Sequence, residues 1–326
     1  MVAPSLRLLL STLVDYAGLF PPARLNLPAA VAAYEYYNTT AHRWMLGRFV
    51  LPLSQLTQFE DCLNHLAQQY AAAFWPLSVV LPPSIQALEM LAPWLENPSR
   101  FTISALEFKL GAVDTNRRVG ADTIASLIPH LPPRSTLFFE VPLDATLTDY
   151  IAVLQGTRAA VKVRTGGLTA ADFPTVEALA QFLVTCAAAR LPFKATAGLH
   201  HPLHSWQTLP NGDSVQMHGF LNLAIAAAFA YGYGATAAEI ASILQIDTLN
   251  DLIFSEHEII CHSPLWLQES ELSTIAGHLP LDILARVRSR YFLGIGSCSF
   301  QAPLAELYRL KLFNDPASIP SYVLST

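Results

Sequence analysis

Lysine is nearly missing from this chain: Lys109, Lys162, Lys194 and Lys311 are the only four among 19 lysines and arginines in 326 residues. Charge of either sign is sparse, at 13% of residues, and the formal net charge is −6. No basic run occurs, so a nucleic-acid partner is not expected. Cysteine is equally thin. Cys62, Cys186, Cys261 and Cys298 are scattered with no C-x-x-C pair, which removes both a zinc ribbon and a disulfide framework and suits a reducing cytoplasm. A membrane-spanning run with basic flanks is also lacking. The uncharged stretch from Gly219 to Ala238 carries Asn222, Thr236 and three glycines, and reads as a buried helix with its following loop. Leu8, Leu9 and Leu10 follow a single Arg7 and meet Asp15 without a small-residue cleavage site, which argues against a signal peptide.

What is abundant is apolar: 52% of residues are hydrophobic and mean hydropathy is +0.35. A large core is easily filled, and a homo-oligomer is compatible with such a composition. Short runs rich in Val, Ile and Phe alternate with helical patterns along most of the chain. Candidate strands are Leu13–Leu19, Arg48–Leu53, Leu77–Leu81, Ala105–Leu110, Thr136–Val141, Ala159–Arg164, Pro192–Ala197 and Arg290–Ile295. Strand–helix alternation implies a parallel sheet covered by helices, and eight units suggest a closed (β/α)8 barrel, with a doubly wound open sheet as the alternative. The expected layout is one barrel domain over residues 1–312, a helical insertion at about 202–288 between the seventh and eighth strands, and a surface tail over 313–326.

Three of the four lysines fall inside candidate strands. Alternation puts Glu107 and Lys109 opposite Leu106, Phe108 and Leu110, and Lys162 and Arg164 opposite Val161 and Val163. Glu140 lies opposite Phe139 and Val141. If the apolar face packs on helices, the charged face points into the barrel, where active sites sit at the carboxyl ends of the strands. A bland account is available: a structural network of buried ion pairs. Such networks are costly to bury and are weak evidence of stability. Two carboxylates against four cations would also leave positive charge unmatched. A catalytic cluster is the better reading, because perturbed titratable groups gather at functional sites.

A lysine attacks a carbonyl only as the free amine, and both desolvation and a neighbouring cation favour that form. The carbinolamine then yields an iminium, an electron sink for a carbanion at the adjacent carbon. Glu107 or Glu140 could relay protons. This is the logic of a Schiff-base aldolase or lyase acting on a small, anionic or neutral carbonyl compound, with no metal and no cofactor required.

At this point a family resemblance enters. Lys162-Val163-Arg164-Thr165-Gly166 resembles the K-x-x-T-G motif of deoxyribose-phosphate aldolase, and Lys194-Ala195-Thr196-Ala197-Gly198 is similar to its K-A-x-G-G motif. The resemblance implies a Schiff-base role for Lys162 and a pKa-lowering role for Lys194. Leu106-Glu107-Phe108 is placed like the strand bearing that family's catalytic aspartate, and Phe138-Phe139-Glu140 resembles its fifth strand. Gly294-Ile295-Gly296-Ser297-Cys298-Ser299 is similar to the glycine–serine turn that binds phosphate there, which implies substrate binding by Gly296 and Ser297. Two departures stand out. Arg164 is large and charged where the family has a small residue, and Leu199-His200-His201-Pro202 follows Gly198. Lys109, Arg164, Thr165, His200 and His201 complete the expected substrate contacts.

Two rivals come from other classes. His200, His201 and His204 could serve a metal-dependent hydrolase, although Pro202 keeps His200 and His204 off one regular helical face. A non-catalytic binding protein for an acidic metabolite is the other. Asp15 could line the mouth but reads most simply as a turn former, Arg48 reads as a surface anchor sooner than a ligand, and Cys298 lacks a visible base.

Overall fold

A computed structural model describes residues 2–67, 74–96, 100–110, 119–262 and 277–313. In chain order its strands are β1 (Val14–Tyr16), β2 (Leu46–Pro52), β3 (Trp75–Leu81), β4 (Phe101–Lys109), β5 (Thr136–Val141), β6 (Ala159–Arg164) and β7 (Phe193–Thr196). They continue with β8 (Ser205–Thr208), β9 (Ser214–Met217), β10 (Leu252–Phe254), β11 (Glu258–Cys261), β12 (His278–Pro280) and β13 (Phe292–Ser297). Eight of these close into a parallel barrel in the order β1-β13-β7-β6-β5-β4-β3-β2. Helices alternate with the strands, so the fold is a (β/α)8 barrel. Each candidate strand of the sequence overlaps one barrel strand.

Alternation decides which side chains face the helices. On β4, Leu106 and Phe108 join the outer apolar layer; on β6, Val161 and Val163 do; on β7, Phe193 and Ala195 do. The opposite faces meet inside the barrel, where Ala105, Phe138 and Ala160 form a small separate cluster with Leu293 against it. These residues plug the lower interior. One turn of the pleat higher, the inward positions are Glu107 and Lys162, and the barrel there is polar. Helix starts follow local chemistry. Asn26 Oδ1 accepts from Ala29 N–H to cap Leu27–Thr39, and Thr175 does the same for Ala178 at the head of Val176–Ala188.

The segment between the seventh and eighth barrel strands differs from the helical insertion expected. Helices are present, at Phe220–Tyr233, Ala237–Leu244 and Leu281–Arg290, but so are two small sheets. β8 and β9 pair antiparallel around the Pro210-Asn211-Gly212-Asp213 turn, and β10, β11 and β12 form a three-stranded antiparallel sheet. The strands are only three or four residues long, too short to announce a period of two. Phe220–Tyr233 packs against Val176–Ala188, Ala237–Leu244 and Leu281–Arg290, so every residue from Phe220 to Ala230 is buried. That explains an apolar stretch with no polar face. Among the described residues no helix is long and apolar enough to cross a membrane. The expected tail lies outside the described residues from position 314 onward.

Candidate active site in the barrel mouth

A chain of alternating charges runs through the barrel interior. Lys194 Nζ sits 2.6 Å from Asp15 Oδ2 and 2.6 Å from Glu107 Oε1. The other oxygen of the same carboxylate, Glu107 Oε2, lies 2.9 Å from Lys162 Nζ, which is also 2.9 Å from Glu140 Oε2. Arg48 Nη1 flanks Asp15 at 3.4 Å, and Arg164 Nη1 flanks Glu140 at 3.7 Å. The order is therefore Arg48, Asp15, Lys194, Glu107, Lys162, Glu140, Arg164. Both ends are cations, and four positive groups meet three negative ones. Exposure rises along the last links: the Lys194 side chain is 1% exposed, Lys162 8%, Glu140 13% and Arg164 47%. The mouth is at the Arg164 end.

Strand register builds this order. Glu140, Lys162 and Lys194 are direct neighbours across β5, β6 and β7, and Lys109 pairs with Glu140 from the β4 side. Glu107 reaches up from one register row below and inserts its carboxylate between the two ammonium groups. Ser78 on β3 donates to Glu107 Oε1 at 2.7 Å, and the Phe138 ring lies 5.5 Å below Lys194 Nζ. Asp15 is fixed at a β-bulge. The Arg48 N–H donates to its Oδ1 at 2.6 Å, and a Cβ on Gly47 would come within 2.4 Å of the same oxygen. Only glycine lets the two strands and that carboxylate approach so closely.

The electrostatics correct one expectation. Lys162 was expected to be held neutral by burial and by Lys194. Burial does pull its pKa down, but Glu107 and Glu140 outweigh it and the net direction is up. Lys194 acts on Lys162 only across Glu107, whose carboxylate stands between them. Glu107 itself is pushed up by burial and down more strongly by Lys162, Lys194 and the Ser78 hydroxyl, ending well below the usual range. The resting site therefore holds Lys162 as an ammonium between carboxylates. Asp15 supplies a third carboxylate and Arg48 a further cation, so the linked chain carries one positive charge in excess, with Lys109 outside it.

Thr165 and Gly296 serve the scaffold. Thr165 is fully buried and its hydroxyl donates to Ala197 O at 2.6 Å, tying the loop after β6 to the one after β7. Ala197 is held there at φ +67°, a left-handed conformation uncommon for a residue with a side chain. A Cβ on Gly296 would meet Thr196 Oγ1 at 2.8 Å and Lys194 Cε at 3.6 Å, so the missing side chain is room for β7 and its lysine. Ser297 is buried and its hydroxyl donates to Ser299 O, while accepting from Ser299 N–H. Ser299 Oγ in turn accepts from Ala302 N–H at the start of helix Gln301–Arg309. Both serine hydroxyls are thus engaged within the turn and the helix start.

Lys109 is exposed at the end of β4, with no ion pair among the described residues. His201 Nδ1 lies 3.5 Å from Glu306 Oε2, away from the charge chain, and burial pushes the His200 pKa down. His204 turns elsewhere. Its backbone N–H donates to Asn222 Oδ1, and its ring faces His218 with centroids 6.3 Å apart. His201 and His204 thus face different partners, and among the described residues no three His, Cys, Asp or Glu side chains are grouped as metal ligands would be. Burial raises the Cys298 thiol pKa, consistent with an unreactive residue.

Sequence reasoning missed Ser78 and ranked the simpler roles of Asp15 and Arg48 first. Asp15 is 1% exposed and ion-paired, not a turn former, and Arg48 points inward to Asp15 and Ser104 instead of anchoring a surface. A signal existed for the first: Asp15 lies between Val14 and Tyr16 in a candidate strand, where an unpaired aspartate is rare. No protein-family model matches the chain, and no curated protein matches it either.

Proposed function

We propose that this barrel is a Schiff-base-forming lyase of the aldolase type, with Lys162 as the nucleophile toward a small carbonyl compound. The observation that carries the reading is the bracketing of Lys162 Nζ by two carboxylate oxygens, each at 2.9 Å, on the mouth side of a second, sealed lysine. Two carboxylates beside one amine are what stepwise proton transfer needs. Glu140, the more exposed of the two and not shared with Lys194, takes a proton from the ammonium, the free amine adds to the carbonyl carbon, and the carbinolamine oxygen leaves as water after receiving that proton and a second from the nitrogen. Ammonium plus carbonyl becomes iminium plus water, so the total charge is unchanged.

That conservation answers the raised pKa of Lys162. The carboxylates that favour the ammonium favour an iminium at the same nitrogen equally in sign, so the site is preorganised for the intermediate. The cost falls on the first step, because the free amine is scarce near neutral pH. Lys194, held by Asp15 and Glu107, acts as a positioning residue that keeps Glu107 ionised and aimed. The order of strands bearing Glu107, Glu140, Lys162 and Lys194 is also the order the resemblance to deoxyribose-phosphate aldolase implies.

The test is chemical. The protein is incubated with hydroxyacetone and borohydride, digested and mapped by mass. A reduced adduct on the peptide carrying Lys162, lost in Lys162→Arg, is the expected result. Labelling confined to Lys109 or Lys311, or none with any carbonyl, would leave a binding role for an acidic metabolite as the better account.

A further inference from the structure

Resting on that reading, we infer that the substrate is a short oxo acid whose carboxylate is held by Arg164, with Lys109 beside it, at the β4–β6 rim of the mouth. The charge chain ends there in an incomplete pair. Arg164 approaches Glu140 only to 3.7 Å, and its guanidinium makes no hydrogen bond to a described residue. Glu140 gives its nearer contact, 2.9 Å, to Lys162. Asp172 also feels Arg164 but makes no ion pair or hydrogen bond with it, and its Oδ2 accepts from the Leu168 and Thr169 N–H groups and the Thr169 hydroxyl. Lys109 adds a second exposed cation, in register with Glu140 and on the inward face of β4. A forked guanidinium half open to solvent, with no hydrogen-bond acceptor among the described residues, is suited to a bidentate carboxylate.

Geometry sets the length of that substrate. Lys162 and Arg164 share one face of β6, about 6.6 Å apart along the strand. The two oxygens of the Glu140 carboxylate lie 2.9 Å from Lys162 Nζ and 3.7 Å from Arg164 Nη1, so the gap between the two nitrogens is little more than one carboxylate wide. A carbonyl carbon bound at Lys162 therefore places an acid group one to three carbons away within reach of Arg164. The opposite side of the mouth is unsuited to the acid. The Ser297 and Ser299 hydroxyls cap their own turn, and Glu306 lies in the following helix with His201 against it.

Two measurements test this separately from the lysine chemistry. Borohydride trapping is run with pyruvate and with hydroxyacetone, which share a small ketone and differ in the acid group. Wild type should label Lys162 roughly tenfold more efficiently with pyruvate, and Arg164→Gln should bring the two within about twofold, with partial recovery in Arg164→Lys. Lactate, which cannot form an imine, is then titrated by ligand-observed NMR at low salt. Binding to wild type that is lost in Arg164→Gln supports the acid site even where nothing is trapped. Equal labelling by both ketones, unaltered in Arg164→Gln, overturns the acid site while leaving the Schiff-base reading standing. Failure of lactate to bind, or binding that survives Arg164→Gln, overturns it as well. Arg164 is about half exposed, so the variants are expected to fold, and thermal melting checks that they do.

Discussion

Glu107 is the residue on which the others turn. It is buried, and each of its oxygens holds one ammonium group. Its removal leaves Lys162 and Lys194 facing each other with no charge between them, each keeping one outer carboxylate (Glu140 and Asp15), so Glu107→Gln should destabilise the fold by about 3–5 kcal/mol in denaturant unfolding. A loss under 1 kcal/mol would mean that the network is not closed as described. The pH dependence follows in sign. The Glu107 pKa is depressed in the fold below its ordinary 4.5, so its contribution is present above that value and fades as pH falls toward the folded one. The Lys162 pKa is raised above 10.5, so its contribution is full below that value and fades as pH rises through the folded one. Glu107→Gln should therefore flatten the acid limb of stability against pH. Trapping behaves differently, because the ammonium proton passes to a neighbouring carboxylate and the charge is conserved: labelling at Lys162 should change by less than about threefold from pH 7 to 9. A climb of about tenfold per pH unit would show that the proton must first leave to solvent.

At the scale of elements, the barrel strands were readable because each carries a period of two strong enough to separate charged from apolar faces. β6 is the clearest case, with Lys162 and Arg164 opposite Val161 and Val163. Asp15 was not readable in the same way. β1 is three residues long, all buried, and its partner is a bulge made by Gly47 and Arg48, residues more than thirty positions away. A contact of that kind is set by register, which no local pattern encodes. Gly47→Ala tests it: a methyl group directed at Asp15 Oδ1 should cost about 1–3 kcal/mol and lower trapping at Lys162, since Lys194 loses its second anchor. The small sheets of the long β7–β13 connection escaped for a related reason. Asn222 holds that region together from inside an apolar helix, donating to Ile243 O and Ile246 O and accepting from His204 N–H. Asn222→Ala should cost roughly 2–4 kcal/mol in melting or denaturant experiments while leaving the Lys162 adduct intact.

For the whole molecule, the closed barrel turns residues scattered from Asp15 to Lys194 into one line of charge pointing at the mouth. The fold class and the inward direction of both lysines were legible in composition and alternation. The protonation state of Lys162 was not, because it depends on carboxylates brought in by strands β4 and β5. The most direct test is a crystal structure of the borohydride-reduced protein after incubation with pyruvate. Continuous density is expected from Lys162 Nζ to the substrate carbon, with Glu107 and Glu140 on either side and the acid group turned toward Arg164. An unmodified Lys162, or density attached to Lys194 or to a surface lysine, would contradict the account.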